Sequence, residues 1–147
     1  MPRRRIDAAA VVFALLVVAT AAAFAYAQRL KRDPLLVDRV GIGNKKSNAF
    51  APGTKCHSHI RLKFRTTTSN EGTVEIIRPG GELVRTLARH TFLKRYTYHV
   101  FHWDGKNEAG VVQPVGRYRM RVLLEDEDRS LTLPGTIRLH KTVRGSC

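Results

Sequence analysis

The sequence predicts an all-β chain: an immunoglobulin-like antiparallel β-sandwich preceded by one N-terminal transmembrane helix. Strict apolar–polar alternation through "HIRLKFRT" and "RYRMRVLL" places every second side chain on a buried face. Turn-forming clusters of Gly, Pro, Asn and Asp recur at the spacing of roughly 8 to 12 residues that short sandwich strands require. Ahead of both, the run from Ala8 to Ala27 contains no charged residue.

That run, "AAAVVFALLVVATAAAFAYA", is rich in Ala, Val, Leu and Phe. As a helix rising about 1.5 Å per residue it spans roughly the 30 Å hydrocarbon core of a bilayer. Residues 1–27 therefore read as a transmembrane signal-anchor. "AYA" at Ala25 to Ala27 also fits a signal-peptidase site, so a chain secreted after cleavage at Ala27 is the alternative, although a cleaved apolar region is usually only about 7 to 15 residues long. Either way residues 8–27 engage a membrane. The flank after the run (Arg29, Lys31, Arg32, Arg39, Lys45, Lys46) is more basic than Arg3 to Arg5, which taken alone puts the C-terminal part in the cytoplasm. The short basic stretch before the run is export-like and points the other way, to a single-pass protein of the cell membrane with its domain outside the cytoplasm.

Residues 28–49 mix charge with Pro34, Gly41, Gly43 and Asn44, lack a sustained period, and read as a juxtamembrane linker. The sandwich is expected over 50–143. In "HIRLKFRT", Ile60, Leu62 and Phe64 oppose Arg61, Lys63 and Arg65. "TVEII" and "ELVRTL" are two further strands, joined by turn chemistry at Pro79, Gly80 and Gly81. "YTYHVFHW" sets His99, Phe101 and Trp103 against Tyr98, Val100 and His102, and "RYRMRVLL" sets Tyr118, Met120 and Val122 against Arg117, Arg119 and Arg121. The last, "SLTLPGTIRL", is interrupted at Pro134-Gly135 and reads as an edge or bulged strand. Six or seven short strands are expected.

The loop "WDGKNEAG" explains why the one tryptophan sits at a strand end. Trp103, on the apolar face, plugs the end of the core, and its indole N–H needs one acceptor. Asp104 is suited to an Asx-type turn, and Gly105 and Gly110 to positive φ. Gly116 frees the chain to enter the next strand, where Tyr118 occupies the place of a tyrosine corner.

Cys56 and Cys147 are the only cysteines. In an exported domain they permit one bridge, with a free thiol or an intermolecular bridge at the final residue as the alternative. Without the three Arg and one Asp of residues 1–27, the chain keeps 23 basic and 11 acidic residues, a formal charge of +12. Such a surplus favours anionic surfaces. Arg61, Lys63 and Arg65, with Arg117, Arg119 and Arg121, would merge into one positive face if their strands share a sheet, and that face would hold an anionic envelope polymer.

Gly81, Leu83 to Leu87, His99-x-Phe101-x-Trp103-Asp104-Gly105, Asn107, Gly110, Gly116 and Tyr118 together resemble the immunoglobulin-like domain of the flagellar hook-capping protein family. The likeness covers about residues 50 to 140. Family members often carry Gly where this chain has Thr97, and an acidic loop where it has "FAPGTKCHS", so the resemblance implies no calcium there. An apolar segment stands in place of that family's own N-terminal assembly region. The resemblance therefore implies the fold and an extracytoplasmic accessory role, not hook capping.

No G-x-S-x-G, H-E-x-x-H or glycine-rich phosphate loop is present. "EDEDR" reads as a solvated turn. His57 and His59 would share a strand face beside Cys56, but no spacing supplies a zinc ligand set. The expectation is a non-catalytic module with a structural, adhesion or assembly role, without cofactor, metal or small-molecule substrate, whose partners are the membrane and a protein or anionic envelope polymer.

Overall fold

The computed structural model describes residues 8–31, 35–43 and 47–142, which fall into two units that divide between Leu35 and Leu36. The first holds one helix, α1 (Ala8–Lys31, 24 residues). Every side chain from Ala8 to Ala27 is exposed, and the stretch Ala8–Gln28 is long and apolar enough to cross a membrane. Thr20 donates its hydroxyl to the Leu16 carbonyl at 2.8 Å, which satisfies that polar group within the helix itself.

The second unit is a sandwich of nine strands: β1 (Val37–Ile42), β2 (Ala49–Phe50), β3 (Ile60–Thr66), β4 (Asn70–Ile77), β5 (Leu83–Leu93), β6 (Tyr98–Trp103), β7 (Gly116–Leu124), β8 (Arg129–Thr132) and β9 (Ile137–Leu139). One sheet has the order β1-β3-β6. The other has the order β2-β9-β7-β4-β5, with β8 also paired to β7. All pairings are antiparallel except β2 with β9. Leu62 and Phe64 of β3 meet Val74 and Ile76 of β4 and Met120 and Val122 of β7 in one fully buried core. Burying side chains of this size stabilises by about 1.5 to 3 kcal/mol each.

Three expectations change. The stretch read as a linker contains β1 and the first residue of β2, and Val37, Val40 and Ile42 pack against the core. A bulge between Val37 and Arg39 breaks the alternation that would have revealed β1. His57 and His59 lie in the loop before β3, not on a strand face. The interrupted last strand is two strands, β8 and β9, divided at Pro134-Gly135 and both paired to β7. "EDEDR" begins as a turn between β7 and β8, as its composition suggests.

Candidate functional site

The Trp103 corner is assembled from the end of β6, the following loop and the start of β7. Trp103 is 0% exposed. Its indole N–H donates to the Lys106 carbonyl at 2.8 Å. The Tyr118 ring meets it edge-on at 4.9 Å and the Phe50 ring tilts against it at 5.4 Å. The Tyr118 hydroxyl donates to the Pro114 carbonyl at 2.7 Å, the bond a tyrosine corner makes. Burial pushes the Tyr118 phenol above its ordinary value.

Asp104 Oδ1 accepts from the Lys106 N–H at 3.1 Å, closing an Asx turn, and from Arg85 Nη1 at 3.3 Å. Gly105 has φ 80°, and a Cβ there would lie 2.5 Å from Pro52 Cγ, so both backbone and space require glycine. Gly110 has φ 77° and closes a small hairpin in which the Asn107 carboxamide oxygen accepts from the Val111 N–H at 2.9 Å. Gly116 is the first residue of β7, and its φ is not positive. At the tip of the hairpin, Glu108 Oε1 accepts from the Thr86 N–H of β5 at 2.7 Å. That bond, with Arg89 and Arg85 nearby, holds the Glu108 carboxyl below its ordinary value. Arg85 and Glu108 escape sequence reading, since their partners lie about twenty residues away.

The basic rows do not merge. Arg61, Lys63 and Arg65 lie on β3 and Arg117, Arg119 and Arg121 on β7, strands of different sheets, so each row occupies its own outward face. On the β3 face, Arg39 and Arg65 are directly paired across the strands, and the bulge turns Asp38 to meet the Arg65 guanidinium. This bond lowers the Asp38 pKa and raises that of Arg65. Lys63 Nζ lies 5.2 Å from the Tyr98 ring centre, and the Arg65 guanidinium 5.7 Å from it. On the β7 face, Arg121 is bound to Glu75 at 2.7 Å, whereas Arg117 and Arg119 have no ion-pair partner among the described residues. Arg117 stands directly opposite Arg138 of β9, an unfavourable like-charge pair.

A groove of about 660 Å³ opens beside the Trp103 corner, lined by Pro52, His59, Lys106, Val112, Pro114 and Leu139 among others. The Ser58 hydroxyl and His59 Nδ1 are 2.8 Å apart there, but no carboxylate is bonded to His59 among the described residues. Asp104 is already engaged by Arg85 and Lys106. The donors most able to hold a metal are Glu71, His90 and Glu125, whose ligand atoms lie within 4.8 Å of one another. All three lie at the surface, and His90 Nδ1 already donates to Glu125 at 2.9 Å. Cys56 is not a free thiol. Cys147, its expected partner, lies outside the described residues, as do Arg3 to Arg5, Arg32, Lys45 and Lys46.

No family model and no curated protein matches the chain. Among solved structures, the chain is similar to truncated FlgD from Helicobacter pylori in its monoclinic crystal form, at 21% identity and a TM-score of 0.42. The match covers 55% of this chain and 59% of that one.

Proposed function

We propose that this chain is a non-catalytic, membrane-tethered extracytoplasmic module in which α1 anchors a sandwich that serves a structural, adhesion or assembly role. The observation that carries the reading is the division of labour along the chain. An apolar helix with no buried face precedes a sandwich whose signature polar groups, at Asp104, Asn107, Glu108 and Tyr118, are engaged in its own backbone. Groups occupied in this way hold shape and are not available for proton transfer. A Cys56 that is not free fits an oxidising compartment.

Alkaline extraction of membranes and protease shaving of intact cells test the reading. An anchored outer domain stays in the pellet, is cut from outside, and keeps a mass that includes residues 1–27. Release into the medium with Ala27 removed would establish the secreted alternative, and protection from protease would place the domain in the cytoplasm.

A second reading, binding of an anionic envelope polymer, is favoured by the β7 face. Arg117, Arg119 and Arg138 stand together without carboxylate partners among the described residues, and an anion laid across them would relieve the Arg117–Arg138 repulsion. Retention on a polyanionic resin should fall steeply with salt and fall further in Arg117→Gln/Arg119→Gln. Equal retention on a neutral resin would remove this reading.

A further inference from the structure

We propose that the connection from β5 to β6, Phe92 to Tyr98, is an interfacial contact through which the sandwich rests on anionic phospholipid headgroups; the inference depends on α1 being a membrane anchor. The segment "FLKRYTY" places aromatic rings and cations side by side, the mixture that partitions to a bilayer's headgroup zone. Phe92 is 67% exposed, Tyr96 60% and Tyr98 44%, and Lys94 and Arg95 are exposed between them. Buried Leu93 pins the segment to the core.

The rings are presented by fixed backbone. Tyr96 has φ 55°, and its N–H donates to the Thr66 carbonyl at 2.8 Å. The Arg95 N–H donates to the Ser69 hydroxyl at 3.2 Å, and His99 Nε2 donates to the Lys94 carbonyl at 3.0 Å. Cations lie over the aromatic faces, with Arg95 5.7 Å and Arg65 5.9 Å from the Tyr96 ring centre.

Hydrogen bonds also place this segment where the chain enters the sandwich. Leu36, the first residue of the unit, accepts from the Thr67 N–H at 3.0 Å, while adjacent Thr66 accepts from Tyr96. Only residues 32–35 separate α1 from Leu36, and a chain of that length reaches at most about 18 Å. With α1 as the anchor, that tether bounds how far the Leu36 end can stand from the helix. The acidic turn at Glu125 to Asp128 stands at the same end of the larger sheet, bonded to Glu71 and Asn70 opposite Phe92 and Leu93, so repulsion from anionic headgroups would bias contact toward the Tyr96 and Tyr98 side of the connection.

The test uses the full-length chain in vesicles of phosphatidylcholine with and without phosphatidylglycerol, with brominated acyl chains as a quencher. Phe92→Trp is expected to show blue-shifted emission that brominated lipid quenches, more strongly with phosphatidylglycerol present. Wild-type protein, whose Trp103 is buried, sets the baseline, and Tyr96→Trp repeats the measurement at a second ring should the first variant fold poorly. Adding Lys94→Glu/Arg95→Glu should reduce quenching to its level in neutral lipid. Red, unquenched emission in chains that resist alkaline extraction overturns the contact while leaving the anchor intact. Chains released by alkali overturn both.

Discussion

At position 103 a large ring, its hydrogen bond and two aromatic neighbours act together, so truncation removes more than area. Trp103→Ala is expected to cost about 3 to 5 kcal/mol in chemical denaturation, the range for emptying a core aromatic site. Tyr118→Phe keeps the ring and deletes only the bond to Pro114, at about 1 kcal/mol. The Tyr118 pKa is raised by burial, so its contribution is complete below the ordinary tyrosine value near 10 and is lost as pH rises through the folded value. Denaturation midpoints should therefore fall above about pH 10 in wild type and less in Tyr118→Phe. The Asx turn at Asp104 and the positive φ of Gly105 and Gly110 were legible because each depends on neighbours in sequence.

At the scale of elements, β5 ends the larger sheet, and Glu108 takes one of its outward N–H groups, at Thr86. An occupied edge group is closed to another strand. Since the Glu108 pKa is lowered, this protection holds at and above the ordinary Glu value near 4.5 and is lost as pH falls through the folded value. The protection factor of the Thr86 amide, its exchange measured against the intrinsic rate at each pH, should fall as pH drops through the folded Glu108 value, below the ordinary 4.5, and Glu108→Gln should flatten that acid dependence. β3, β6 and β7 were legible because their alternation is unbroken, as in Ile60, Leu62 and Phe64. β1 and the far half of β5 were not, because register shifts at Val37/Arg39 and Gly72/Val74 interrupt the period of two. Which sheet a strand joins is a long-range outcome, so nothing local in Arg61 or Arg117 could show that their rows lie apart.

For the whole molecule, a bridge between Cys56 and Cys147 would close most of the sandwich into one loop. In the chain-entropy account such a loop is worth about 4 kcal/mol. Cys147→Ser should lower the denaturation midpoint by a corresponding amount and abolish any mobility difference between reduced and unreduced gels. An unchanged midpoint would leave Cys56 with another partner. The separation of the basic rows matters at this scale too. Because β3 and β7 belong to opposed layers, Arg61 and Arg117 look outward in opposite directions. A slab with like charge on both sides cannot press both against one flat support. Whatever acidic matter one side meets, the other side remains open to a second piece, so a released form of this sandwich would glue negatively charged particles together at low dose and coat them separately in excess.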